Sequence, residues 1–198
     1  MINFFTPLLD SFIAIFIIID PFLGLAVFSS MAAGMSIRNR AKQATVAAGV
    51  ALALLIIFMF TGMAVLNLMG IQFSSFKVAG GLILLLLGIQ SVLGFEFSKI
   101  HENKKFAAVL IGTPLLCGPG AMTAITVLSK KHGYLPPLIA SILALYITWL
   151  MLVYSHKIES IVGARIIKIL SRVMGLFVAA LAVQFIWDGV AMMIASAR

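Results

Sequence analysis

The chain has 198 residues, of which 63% are hydrophobic and only 10% charged, against about 25% charged in an ordinary soluble domain. A chain of this length cannot bury that many apolar side chains away from water, so a soluble globular fold is excluded and lipid is the expected solvent. The net charge of +8 is spread in short clusters between apolar runs, a pattern that orients a protein in a membrane and gives no reason to expect nucleic acid as a partner.

A spanning helix needs about 20 predominantly apolar residues. The first such run, residues 11–33, is preceded by ten residues without Lys or Arg. It is longer than the roughly 7 to 15 residues of a signal-peptide core and is therefore expected to be retained. At its middle stands Ile19-Asp20-Pro21-Phe22-Leu23-Gly24. An ionised group at bilayer centre costs at least about 2.5 kcal/mol, so Asp20 is expected to face the protein interior or a water-filled cavity. Asp followed by Pro is also the N-cap and first-turn pairing of a new helix, so Asp20 has two compatible readings, as the cap of a half-helix and as a group that handles solute or protons.

The second and third runs, residues 43–69 and 76–95, follow with short connections, and the third carries Gly80, Gly81, Gly88 and Gln90. These glycines read as close-packing positions, and a Gln in a membrane helix most often bonds a neighbouring helix. The fourth run, residues 106–128, is interrupted by Gly112-Thr113-Pro114-Leu115-Leu116-Cys117-Gly118-Pro119-Gly120-Ala121. Two prolines and three glycines cannot sit in one continuous helix without freeing backbone donors and acceptors. In lipid such groups are tolerated only where they are buried or line a cavity. The single cysteine, Cys117, allows no intramolecular disulfide and is expected beside that cavity.

The fifth and sixth runs cover residues 136–156 and 173–195. Between them residues 157–172 read as a basic amphipathic stretch able to lie on the membrane surface. The sixth run holds Gly175, Gln184 and Asp188, with Asp188 beside Trp187 near the end and expected to be interfacial and solvated. His101, His132 and His156 lie in or beside lysine-containing loops without a second ligand at metal-binding spacing and are expected to be solvated.

The first, third and fifth connections hold ten Lys and Arg, Arg38, Arg40 and Lys42, then Lys99, Lys104 and Lys105, then Lys157, Arg165, Lys168 and Arg172. The other side holds four, Lys77, Lys130, Lys131 and Arg198. The richer side is expected in the cytoplasm, with both termini outside. The halves also echo each other. Gly81 and Gln90 recur as Gly175 and Gln184 at an offset of 94, and Pro21 recurs as Pro114 at 93. Three crossings per half make the second copy upside down, as in many transporters. The expected fold is an all-α polytopic membrane protein, a single transmembrane domain over residues 1–198. It comprises two inverted three-helix repeats, about 1–98 and 99–198, with the first and fourth helices broken at mid-membrane.

Two half-helix N-termini converging at the midplane offer free N–H groups and positive dipole ends to a carboxylate, and freed carbonyls to an ammonium. The candidate substrate-binding residues are therefore Asp20, Pro21, Phe22 and Gly24 from the first break and Thr113, Pro114, Gly118, Pro119 and Gly120 from the second. Asp20 is the candidate for ion coupling, and Gln90, Gln184 and Asp188 are polar packing or pathway residues. No cofactor and no metal ligand set is expected. No Walker-type loop, HExxH motif or cysteine pair is present in the sequence, which argues against ATP-driven transport, an intramembrane metalloenzyme and a thiol carrier.

The chain resembles the MarC family (UPF0056), also called the small neutral amino acid transporter family. The resemblance rests on Ile19-Asp20-Pro21, Ala79-Gly80-Gly81, Gly118 to Ala121, and Met174 with Gln184, Asp188 and Gly189, and so spans nearly the whole chain. It implies a six-helix inner-membrane protein of a bacterium or archaeon, built from inverted repeats, with small neutral amino acids such as glycine and alanine as solutes. The family continues its first motif as Pro-x-Gly-Asn-x-x-Pro, whereas here Pro21 is followed by Phe22-Leu23-Gly24-Leu25-Ala26, so the Asn is missing and the solute is left open. The expected function is secondary transport of a small solute, with a proton or sodium ion as coupling partner. The alternative is a passive channel or a membrane assembly or stress protein. Oligomeric state, direction of transport and any link to antibiotic resistance are not readable from the residues.

Overall fold

The computed structural model describes residues 2–32, 34–94 and 116–196. Among these there is no strand. In chain order the helices are α1 (Ile2–Ile19), α2 (Pro21–Met31), α3 (Ile37–Leu68), α4 (Phe73–Leu93), α5 (Pro119–His132), α6 (Leu135–Val153), α7 (Ser155–Val162) and α8 (Ala164–Ser196). Five spans among the described residues, Phe4–Ser29 (α1 with α2), α3, α4, α6 and α8, are long and apolar enough to cross a bilayer. The first half of the fourth expected crossing lies outside the described residues, and α5 is its second half.

The breaks follow from local chemistry. Pro21 has no N–H to continue α1, and Asp20, at φ 45 and ψ 73, caps α2 from the left-handed region, where Asp is among the few tolerated non-glycine residues. Ser36 caps α3 by accepting from Asn39 N–H at 3.4 Å. At 32 residues α3 is about 48 Å long, so its first turns, with Arg38, Arg40 and Lys42, project beyond a hydrocarbon core of about 30 Å. Gly94, at φ 73, ends α4. Gly163, at φ 84, separates α7 from α8.

Two expectations about element limits are corrected. The first apolar helix begins at Ile2, not at residue 11, and runs through Pro7, which stands inside it without ending it. The basic stretch 157–172 is not one surface segment. Its first part forms the amphipathic α7, but from Ala164 no Gly or Pro intervenes and the chain continues straight into the 33-residue α8. Of the second break, α5 starts at Pro119 after Gly118, and Pro114, the expected counterpart of Pro21, lies outside the described residues.

The main core joins α1, α2, α3, α5 and α6 around Ile15, Ile19, Phe28, Leu55, Leu116, Ile125 and Leu152. A second cluster, Leu84, Ala124, Val127, Val178, Ala182 and Phe185, joins α4, α5 and α8. The closest helix pair is α4 against α8, packed antiparallel. A Cβ on Gly88 meets the Ala179 N and Gly175 O backbone atoms at 2.7 and 2.8 Å, and one on Gly81 meets Ala182 O at 2.9 Å. Only glycine lets the two backbones come this close. Outward faces of α3, α4 and α8 expose Phe60, Leu68, Leu82, Leu86, Leu176, Phe177 and Trp187, apolar surface of the kind lipid covers.

Candidate functional site

Asp20 is the one non-glycine residue with positive φ among the described residues, and it is 5% exposed. Its Oδ1 accepts from Leu23 N–H at 3.1 Å, which satisfies one of the orphan donors at the start of α2. Its Oδ2 accepts from the hydroxyls of Ser91 and Ser171, each at 3.4 Å. Ser91 comes from the last turn of α4 and Ser171 from α8, and the Ser91 hydroxyl is also within 3.0 Å of the Ser171 carbonyl. One oxygen therefore caps and the other points at two serines on the α4–α8 seam.

A cavity of about 1080 Å³ has Asp20 at its inner end, together with Ile19, Gly118, Ala121, Gln90 and Ser91. From there it runs to the face made by the first and fifth connections, where Arg40, His156, Lys157, Glu159, Lys168 and Arg172 line it. Arg40, from the start of α3, donates to the Ala32 carbonyl at the end of α2 at 3.2 Å and to the Ser155 hydroxyl at 3.4 Å, a cation placed where the helix dipole is negative. Because α2 has 11 residues between Asp20 and that end, Asp20 lies about 16 Å below the mouth. Arg172 is placed nearer, since its Nη2 lies 2.8 Å from the position of a Cβ on Gly94, one turn beyond Ser91.

Of the residues singled out in the sequence, Asp20, Gly118 and Gln90 line this cavity. Pro21 and Gly24 are buried behind it, Phe22 is half-buried and Pro119 exposed. Gly24 and Gly120 are contact positions, one against Leu116 and the other against Leu84. Thr113 and Pro114 lie outside the described residues. Cys117 does not line the cavity; it is fully buried in the main core, because Leu116 and Cys117 turn inward as the chain enters α5.

Asp188 is half-buried and paired. Its Oδ2 pairs with Lys77 Nζ at 2.8 Å, and its Oδ1 accepts from Gln184 Nε2 at 2.9 Å. Lys77, counted in the sequence as a loop charge, is 6% exposed inside α4. His132 is also only 10% exposed at its side chain and faces Asp10 at 3.9 Å. Ser91, Ser171 and Lys77 were the functional candidates that sequence reasoning passed over. The serines carry no signal of their own in an apolar helix, whereas Lys77, four residues into a helix that starts at Phe73, was detectable as a charge needing the nearest acid.

An all-helical chain with membrane-length apolar helices, a helix broken at a buried carboxylate and a polar cavity reaching it is an integral membrane protein of the polytopic kind. Residues 5–194 match the family described as MarC family integral membrane protein, and the chain belongs to that family. It is 33% identical over 192 residues to a UPF0056 membrane protein of Methanocaldococcus jannaschii, covering 91% of this chain and 94% of the relative. It is 32% identical over 193 residues to one of Archaeoglobus fulgidus, covering 91% of each. It is 28% identical over 196 residues to one of Buchnera aphidicola, covering 94% and 92%. No solved structure matches the chain.

Proposed function

We propose that the protein is a secondary carrier of a small zwitterionic solute, a small neutral amino acid, and that the solute reaches Asp20 through the cavity with the basic mouth. The observation that carries this reading is Asp20 itself, a buried carboxylate at a helix break about 16 Å below the mouth and at the end of a cavity. A charge at that depth is a functional group by default. The solute ammonium replaces or joins the Ser91 and Ser171 hydroxyls on Oδ2 of Asp20. Its carboxylate turns toward Arg172 and the start of α5 at Gly118. The excess of Arg and Lys over the single Glu159 at the mouth raises the local concentration of carboxylates, and Asp20 admits those that also carry an ammonium. The same carboxylate is the candidate for proton or sodium coupling.

The two halves are read as inverted three-helix repeats, about 1–98 and 99–198. Two contacts support this. Gly88 packs on Gly175 and Gly81 on Ala182, and moving each residue by the offset of 94 turns one pair into the other. With Lys77 removed from the loop charges, ten basic residues stand against three. The cavity mouth is therefore assigned to the cytoplasm and both termini to the outside, in the plasma membrane of a prokaryotic cell.

The route is tested with a Gln90→Cys, Cys117→Ala variant in proteoliposomes, labelled from the mouth side with a charged thiol reagent. Labelling is expected, and glycine or alanine should slow it several-fold. The native Cys117, fully buried, should stay unlabelled in the folded wild type. Protection by none of the small neutral amino acids contradicts the proposed route.

A further inference from the structure

Lys77, Gln184 and Asp188 take no part in the cavity, yet they are placed as its image. The offset of 94 that relates the halves carries Gln90 to Gln184, Gly94 to Asp188, and, in the other direction, Ser171 to Lys77 and Lys168 to Ser74. The first member of each pair lines the open cavity. The second members gather at the opposite end of the α4–α8 crossing, where Lys77 pairs with Asp188 at 2.8 Å and Gln184 donates to Asp188 at 2.9 Å. Lys77 Nζ also stands 5.8 Å from the centre of the Phe185 ring. Two cavity residues, Ser91 and Arg172, have the apolar counterparts Phe185 and Val78, so the two ends are related without being equivalent.

The ends also differ in access. Lys168 and Gly94 are exposed on the cavity side where their counterparts Ser74 and Asp188 are buried and half-buried, whereas Gln90 and Gln184 are both exposed and Ser171 and Lys77 both buried. From Lys77 to Ser91 is 14 residues of α4, about 21 Å, so the two groups lie toward opposite faces of a core of about 30 Å. Packing does not require an ion pair at this end, because Gly81 on Ala182 and Gly189 on Ser74 already join the helices. An ion pair with its ammonium buried between helices and its carboxylate half-buried is weak evidence for stability, and the best-attested role of such pairs is to specify one arrangement over another.

We propose that Lys77, Gln184 and Asp188 line the second, closed half of the solute route, opening to the face opposite the cavity, and that the Lys77–Asp188 pair holds it shut. This rests on the carrier and inverted-repeat reading above. Parting the pair leaves a buried ammonium and a carboxylate, each needing a counter-charge. A small zwitterion supplies both at once, its carboxylate to Lys77 and its ammonium to Asp188. A simple cation or anion supplies one. The pair therefore selects zwitterions on the far side as Asp20 and the basic mouth do on the near side.

The test uses two reporters in a Cys117→Ala background, Ser74→Cys labelled from the far face and Gln90→Cys labelled from the mouth, in proteoliposomes of known orientation. With the pair intact, Ser74→Cys should react slowly and Gln90→Cys quickly. The neutral pair Lys77→Gln with Asp188→Asn should speed the first at least tenfold and slow the second. The swapped pair Lys77→Asp with Asp188→Lys should restore the original pattern. Faster labelling at both reporters means loosened packing, and unchanged labelling at Ser74→Cys means a structural pair; either overturns the proposal. Glycine should accelerate labelling at Ser74→Cys where acetate and methylammonium do not. Equal action of all three overturns the zwitterion selection. Because labelling needs no transport, a reciprocal shift without amino-acid counterflow leaves the gate standing and removes the amino-acid reading. Counterflow without the shift does the reverse.

Discussion

Replacing Asp20 by Asn is expected to lower solute transport by about 10- to 100-fold while leaving the amount of folded protein close to wild type. The two effects separate because the cap and the proposed solute contact use different properties of the carboxylate. Asn caps a helix about as well as Asp and is equally at home in the left-handed region, so the bond to Leu23 N–H and the φ of 45 are kept. The negative charge facing Ser91 and Ser171 is lost. A hydrogen bond to a charged partner contributes roughly 1.5–3 kcal/mol, and each 1.4 kcal/mol is tenfold in binding, which gives the stated range. Asp20→Ala is expected to do more damage to the fold. It removes the cap, at about 1 kcal/mol, and puts a residue with no local hydrogen bond in the left-handed region, at roughly 1–2 kcal/mol. Exchange rates and chromatographic yield measured on the same two preparations check both statements. An Asn variant with wild-type exchange and wild-type driven uptake would retire Asp20 as a solute or coupling group and leave it a cap.

The second large effect belongs to the α4–α8 seam. Gly88→Ala is expected to destabilise the protein by about 1–3 kcal/mol, the usual range for overpacking. The upper part of that range is expected because the new methyl meets backbone atoms, Ala179 N at 2.7 Å and Gly175 O at 2.8 Å, which no rotamer change can move. Separating the helices also pulls Ser91 from Ser171, so transport should fall with stability. Gly49→Ala supplies the control. It sits inside α3 with nothing within 4 Å of the added Cβ, and a Gly to Ala change in a helix interior gains roughly 0.5–1 kcal/mol. Thermal unfolding in detergent should place the two variants on opposite sides of wild type. Gly88→Ala melting with wild type would mean the seam is looser than its distances imply.

How much of this was legible in the residues depends on the range of the interaction. Pro21 after Asp20 announces a break and a cap using two adjacent residues, and the structure has both. The glycines of α4 and α8 announce close packing, because few other reasons put Gly in a membrane helix. Chain-distant pairings were not legible. Ser91 and Ser171 lie 80 residues apart and become partners of Asp20 only when α4 and α8 are laid against each other. Lys77 and Asp188, 111 residues apart, looked like a loop charge and an interfacial acid because each was judged against its own helix end. Cys117 was misplaced for a related reason: the break at Gly118-Pro119 was visible, but the side of the turn facing the core was not. The join of α7 to α8 was misjudged because basic side chains suggested a surface segment, while no Gly or Pro stands between Ala164 and Arg172 to end the helix there.

The central claim is that a solute crosses by binding at Asp20 in a carrier that exposes one side at a time. The most direct measurement is counterflow in proteoliposomes preloaded with unlabelled glycine, alanine or serine, following entry of the labelled amino acid at trace concentration. The account predicts transient accumulation above the outside concentration for at least one small neutral amino acid, saturating with concentration and reduced about 10- to 100-fold in Asp20→Asn. Entry that merely equilibrates, or no entry of any member of the panel, would contradict it.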